Sequence, residues 1–320
     1  MSSESEAAPE AHTVLVYQHD AKCYTLSTTV VAVLPYASLP SASQALFKQG
    51  QQAKVEADAD AGASAPYYAV VTAATIFHPQ GGGQPSDIGT IRLDSVEGRA
   101  QHAFDVLSAR MDAVQSGRVL HFGRFSSSSN KEAASVLPVG STVHQAIDVD
   151  KRILYSRLHT AGHVLGAAVR HLVENEVAGF DELKASHFPD AASCEFRGKI
   201  DAHWKEPIQA RVADYIAQAM PVEIDWWDAA DFRRNGLDRL IPQPSAPSSG
   251  GGPDANRNNS GSSLQTEKWR IVRIVGAEVY PCGGTHVDTT DQCGETRVTK
   301  ISRSKGISRV SYALEDSGKA

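Results

Sequence analysis

Hydrophobic positions along this chain follow one period in the first half and another in the second. Up to about residue 147 they fall in short β-branched runs: 13–17 (TVLVY), 28–35 (TTVVAVLP), 68–72 (YAVVT), 89–93, 119–122 and 141–147. Runs of this length between Gly, Pro, Ser and Asp clusters predict strands. Several in succession predict a small all-β unit with a barrel or sandwich core. Two stretches break the pattern. Residues 38–66 contain EADADAGASAP, which has no apolar periodicity, and residues 126–131 hold SSSSNK. Both read as inserted surface excursions, the first with no more than a helical turn. Residues 1–10 read as a polar tail.

At Asp148 the period lengthens. Leu154, Leu158, Ala161, Leu165, Ala168 and Leu172 recur at spacings of three and four, with Asp148 or Asp150 as candidate cap and no proline nearby. This is the apolar stripe of an amphipathic helix. A strand is expected near 193–196, a second helix over 207–220, and alternating strands and glycines over 268–314. Between them, residues 242–264 (PQPSAPSSGGGPDANRNNSGSSL) are low-complexity and read as a flexible insertion. The expected class is α+β, with a β-rich domain carrying a glycine motif (1–147) followed by an α/β domain (148–320). No internal repeat is visible.

Composition narrows the function classes. A chain of 320 residues with 41% hydrophobic positions can build two cored domains. Lys+Arg number 31 and Asp+Glu 37, a net charge of −6, which excludes a generally basic nucleic-acid coat. No apolar run reaches membrane-spanning length. The start, MSSESEAAPEAH, lacks the features of a signal or transit peptide, so a cytoplasmic location is the default expectation. Cys23, Cys194, Cys282 and Cys293 are too few and too irregular for a disulfide framework.

Three elements carry chemistry. His159 and His163 sit at i, i+4 on the long helix, ~40° apart around its axis and well away from the apolar stripe. Such a pair can offer two imidazole nitrogens to one cation; two surface histidines are the plainer alternative. Thr160 follows His159 where a zinc protease of the HExxH kind needs glutamate. The second element is Pro281-Cys282-Gly283-Gly284-Thr285-His286, a thiolate and an imidazole around a glycine turn. It reads as half of a metal site or as a structural cysteine in a tight turn. Together the four form a three-nitrogen, one-sulfur set suited to zinc. The other three cysteines read as small apolar side chains. The third element is Thr75-Ile76-Phe77-His78-Pro79-Gln80-Gly81-Gly82-Gly83-Gln84-Pro85-Ser86-Asp87. It lacks the lysine of a phosphate loop and the spacing of a dinucleotide loop. Its glycines allow close approach to a ligand, or simply make a hairpin.

These elements occur in the order T-x-F-H-P-Q-G-G-G-Q-P-S-D, H-T-A-G-H, P-C-G-G-T-H-V. In that order they resemble the editing domain of alanyl-tRNA synthetase and its free-standing AlaX relatives, most closely the medium-length type. Gly294, Lys300-Ile301, Ser304, Gly306 and Arg309-Val310 resemble the closing strands of that family, and Ser186–Phe196 the strand region between its metal motifs. The resemblance covers roughly 66–100, 144–200 and 266–314, outside the insertions. It implies an N-terminal barrel-like glycine-motif domain and a two-layer editing domain of the threonyl/alanyl-tRNA synthetase type. It also implies a trans-editing deacylase that hydrolyses tRNA(Ala) mischarged with serine or glycine. Zinc would be held by His159, His163, Cys282 and His286. Thr75 and Gln84 would line the substrate pocket, with Gly81, Gly82, Gly83 and His78 beside it. His78 and Gln80 stand where the family usually has Tyr and often Glu.

The partner implied is the acceptor end of tRNA(Ala); no obligate protein partner follows. Arg297, Lys300, Arg303, Lys305 and Arg309, without an intervening acid, could grip phosphates or form a solvated strand face. The other readings are a non-catalytic zinc-containing tRNA-binding module and a metal hydrolase of small esters or amides.

Overall fold

The computed structural model describes residues 12–47, 66–93, 103–126, 136–242 and 268–315. The segments 48–65, 127–131 and 243–264 of the three expected insertions lie outside the described residues. Two compact units emerge. One comprises residues 1–79 and 86–148, the other 80–85 and 149–320.

The first unit is a closed six-stranded barrel in the order β2-β3-β7-β6-β5-β8. Its strands are β2 (Thr25–Pro35), β3 (Tyr68–Thr72), β5 (Gly89–Leu93), β6 (Ala103–Met111), β7 (Val119–Phe125) and β8 (Thr142–Ile147). Two short strands, β1 (Val14–Leu15) and β4 (Ala74–Thr75), pair in parallel beside it. The run at 13–17 thus yields only two strand residues before a 3-10 turn at Val16–Gln18. Closure leaves no free edge in the ring. Ile76, Phe77, Ile91, Phe104, Val119 and Val143 fill the interior. A second apolar cluster, with Leu39, Val71, Leu120 and Phe122, lies apart from it. A helical stretch at 41–47 packs there, longer than the single turn expected, and stacks Phe47 on Phe122 at 5.1 Å.

Strand β6 was not foreseen. Asp105, Ser108 and Arg110 dilute its apolar pattern, and a register shift between Val106 and Ser108 breaks the alternation. Such a bulge reverses which parity faces the core. Phe104 and Val106 lie in the interior cluster before it, Ala109 and Met111 after it.

The second unit is built on α1 (Val149–Val173), which carries Asp150 in its first turn and Arg170 and His171 in its last, as the helix dipole favours. Leu158, Ala161, Leu165 and Ala168 of the expected stripe are buried, with Leu154 and Leu172 packed at its ends. They share a core with Ile208 and Val212 of α2 (Lys205–Ala217) and with Phe196 and Val310 of a four-stranded sheet. That sheet runs β14-β15-β10-β9: Thr296–Ser304, Ile307–Leu314, Ser193–Arg197 and Asp181–Ser186. A second sheet of β11 (Val222–Trp227), β12 (Trp269–Ile274) and β13 (Glu278–Pro281) delivers the chain to the cysteine loop. A short helix, α3 (Ala229–Arg234), starts in a capping box at Asp228. The whole is α+β. Among the described residues no helix is long and apolar enough to cross a membrane.

Candidate metal centre

The face of α1 opposite the apolar stripe is covered. His159 is 2% exposed, and the loop after β13 lies against it. The closeness depends on glycine: a β-carbon at 284 would overlap the His159 ring and crowd Gln84. Ligand-capable atoms of His159, His163, Cys282 and His286 all lie within 4.8 Å of one another. Cys282 Sγ is 3.4 Å from His159 Nε2 and 3.3 Å from His286 Nε2. The four residues singled out from the sequence therefore come together.

Hydrogen bonds fix which nitrogen each ring offers. Gln84 Oε1 accepts the Thr285 backbone N–H at 2.9 Å and the His159 Nδ1–H at 2.7 Å. His159 Nε2 is left with its lone pair toward the cluster. Thr160 Oγ1 donates to the Ser156 carbonyl at 2.9 Å, so it accepts from His286 Nδ1 at 3.2 Å. His286 Nε2 lies on the Cys282 side of the ring, 3.3 Å from Sγ. His163 Nε2 is buried with no hydrogen-bond partner. Burial, with the His187 and Arg270 charges, pushes His163 down to about 3, so its imidazole is neutral. Burial raises the Cys282 thiol, while Arg270 and the Gly284 N–H pull the other way. Arg270 is itself 1% exposed and donates to the Cys282 carbonyl at 2.6 Å. Three clustered imidazoles, that of His163 with a buried unpartnered Nε2, beside a cysteine that a cation supports, fit a borderline metal such as zinc.

The glycine turn 80–85 groups with this second unit. Gly82 and Gly83 have φ of +56° and +80°, and a β-carbon on Gly83 would strike the Ala185 carbonyl. Gln84 is fully buried, and its Nε2 donates to Thr285 Oγ1 at 2.8 Å. One residue escaped the sequence reading. His187 stacks on His159 at 4.3 Å, lies over Gly162 where a β-carbon would overlap it, and contacts Tyr312 Oη at 2.7 Å. It has no helical partner at i, i+4, so no local spacing marked it.

Thr75 and His78 belong to the barrel unit. His121 Nδ1 donates to the Val70 carbonyl at 2.9 Å, so Thr75 donates its hydroxyl to His121 Nε2 at 2.8 Å. Thr75 Oγ1 also accepts the Phe77 N–H at 3.0 Å. His78 is 3% exposed, packs edge-on to Tyr17, and its backbone N–H donates to Asp87 at 2.6 Å. Burial pushes His121 down to about 4. The unfolded chain, with an ordinary histidine near 6.5, therefore binds the proton first. Stability contributed by neutral His121 is full above ~6.5 and declines as pH falls toward 4, by on the order of 3 kcal/mol. Replacing His121 with Gln is expected to flatten that slope. Urea unfolding between pH 7 and pH 4 measures it, and an unchanged slope would contradict the assignment.

The basic run is less free than its sequence suggests. Arg297 pairs with Glu315, Arg303 with Asp201, and Arg309 Nε with Glu195 at 2.9 Å. Lys300 and Lys305 form no ion pair among the described residues. Cys194 and Cys293 are buried thiols in the core of the second unit, and Cys23 packs on the barrel core.

An α+β chain with a buried imidazole–thiol cluster at a helix–loop contact defines the class. Residues 269–311 match the family described as the threonyl and alanyl tRNA synthetase second additional domain. The chain is similar to the alanyl-tRNA editing protein AlaX-L of Pyrococcus horikoshii, 27% identical over 76% of this chain and 50% of that protein. It is likewise 27% identical to AlaX-M of Methanosarcina barkeri, over 77% of this chain and 89% of that one. An alanine–tRNA ligase of Methanosphaera stadtmanae is 28% identical over 76% of this chain and 24% of the ligase. The resemblance to AlaX-type editing proteins drawn from the motifs therefore holds. The chain spans half the length of the AlaX-L relative and about a quarter of the ligase.

Proposed function

We propose that this protein is an aminoacyl-tRNA deacylase that hydrolyses the ester of tRNA(Ala) mischarged with serine or glycine. The observation that carries the reading is the buried convergence of ligand-capable atoms of His159, His163, Cys282 and His286 within 4.8 Å of one another, with the Nδ1 atoms of His159 and His286 held by Gln84 and Thr160. Those four residues would hold zinc. Bound there, the ion would polarise an ester carbonyl or lower the pKa of a water if its coordination widens, and otherwise shape the pocket.

The chain's own residues do the remaining work. An aminoacyl ester is already activated, so catalysis needs mainly a positioned water and stabilisation of the developing oxyanion. Gln84 positions: its carbonyl holds His159 and the Thr285 amide together. Thr75 reads the substrate. With its proton given to His121, its oxygen is an acceptor for a seryl hydroxyl, which alanine lacks. A polar group built to meet a hydroxyl discriminates strongly against alanine, so this contact bears on the serine ester and not on the glycine one. Gly81, Gly82, Gly83 and His78 are the further residues proposed to meet the substrate. Lys300 and Lys305 offer charge to RNA phosphates directly. Arg303 can exchange the exposed Asp201 carboxylate for a phosphate at little cost, since surface ion pairs are worth about 0–1 kcal/mol; Arg309 would add its exposed guanidinium while staying anchored on the buried Glu195.

The substrate class is tested by following serine release from seryl-tRNA(Ala) beside release from a minimal serine ester. Fast release from the tRNA with slow release from the small ester is expected. Equal rates would favour a small-ester hydrolase, and zinc with no release a binding module.

A further inference from the structure

On the barrel, Arg110 is out of place. It is 6% exposed, yet its Nε and Nη2 are buried without a hydrogen-bond partner. An unmet buried cation is costly. Among the described residues no carboxylate hydrogen-bonds these two nitrogens. Asp112, two residues on, is fully engaged: Arg118 meets it through Nε at 2.7 Å and through Nη2, Ser43 donates at 2.7 Å, and the Val114 N–H at 3.1 Å. The two orphaned nitrogens of Arg110 form one edge of its guanidinium, the same edge that Arg118 presents to Asp112. That edge is a ready two-pronged donor for a pair of anionic oxygens.

Two buried hydroxyls lie near Arg110 on the barrel. Arg110 lies opposite Leu120 on β7, and Ser108 opposite Phe122. Ser108 and Arg110 are alternate residues of β6, and Ser86 Oγ lies 3.5 Å from Ser108 Oγ. Ser86 follows Pro85 directly in the chain. Burial has also pushed Arg110 down to about 10, a strain that a bound anion removes.

We propose that Arg110 is a phosphate-binding residue that grips one backbone phosphodiester of the RNA, its guanidinium edge meeting the two non-bridging oxygens and the Ser108–Ser86 hydroxyl row continuing the path. This deepens the deacylase reading and rests on it. It extends RNA contact to the barrel, beyond the basic strands of the second unit.

The test is binding of uncharged tRNA(Ala) to the full chain across 50–200 mM salt, for wild type, Arg110→Met and Arg110→Lys. Loss of one phosphate contact lowers the slope of log affinity against log salt by about 0.7–0.9. Over that fourfold salt range the wild type should lose about threefold more affinity than Arg110→Met. Arg110→Lys should recover the slope while binding more weakly, because a point charge replaces a fork. Retained slope in a folded Arg110→Met would overturn the proposal. If Arg110→Met does not fold, a slope for Arg110→Gln equal to that of wild type would overturn it likewise. A shift in Tm by inorganic phosphate that Arg110→Met abolishes, with slopes unchanged, would assign the site to a free anion and also overturn it. Failure of the deacylase reading is distinct: wild type would release no serine from seryl-tRNA(Ala), whatever the salt slopes.

Discussion

Replacing Cys282 with alanine is expected to abolish both bound zinc and deacylation. The thiol lies within 3.4 Å of two imidazole nitrogens, so its loss removes the one sulfur donor from the middle of the set. Even outer partners of metal ligands cost about 10–100-fold in affinity when removed, and a direct ligand should cost more. The loss should also appear in stability. Metal that binds only the folded chain adds RT ln(1 + [L]/Kd), so a chelator should lower the Tm of wild type and leave Cys282→Ala unmoved. Metal content, Tm with and without chelator, and serine release on the same samples check this. A variant that keeps its zinc while losing activity would show that the thiol acts on substrate and does not hold metal. Full activity without zinc would remove the metal from the account.

Replacing Gln84 with alanine is expected to act one step further out. Three interactions vanish at once: those with His159 Nδ1, the Thr285 amide and Thr285 Oγ1. Two buried donors are left unmet, at roughly 1–3 kcal/mol each. The His159 ring can then turn, and the loop carrying Cys282 and His286 loses an anchor. Zinc affinity and deacylation should fall together by about 10–100-fold. Gln84→Glu should recover most of the metal affinity, since a carboxylate accepts the same two N–H groups. If Gln84→Ala bound zinc like wild type but lost deacylation alone, Gln84 would be a substrate contact, as the resemblance by itself implied.

Much of this was legible because it is local. Two histidines at i, i+4 on a helix share a face whatever surrounds them, and a glycine pair between Cys282 and His286 predicts a turn. The apolar stripe of α1 and the β-branched runs at 68–72 and 89–93 became the expected elements for the same reason. What the chain hid is tertiary. The histidine face of α1 is not solvent-facing, because the Cys282 loop closes over it and Gly284 permits the contact. His187 reaches His159 only through the path from β9 to β10. Strand β9 carries acids and lysine with little alternation, so no period announced it, whereas β11 alternates over Val222–Trp226 and was still not among the expected strands. The basic strand keeps its five cations, yet acids distant in sequence neutralise three of them. The engagement of Thr75 by His121 comes from a strand 46 residues away.

The most direct measurement is the hydrolysis of seryl-tRNA(Ala) and alanyl-tRNA(Ala) by wild type, with bound zinc determined on the same preparation. Rapid loss of the serine ester, sparing of the alanine ester and zinc near one equivalent is the predicted result. Full zinc with both esters intact would contradict the deacylase reading and leave a metal-stabilised module.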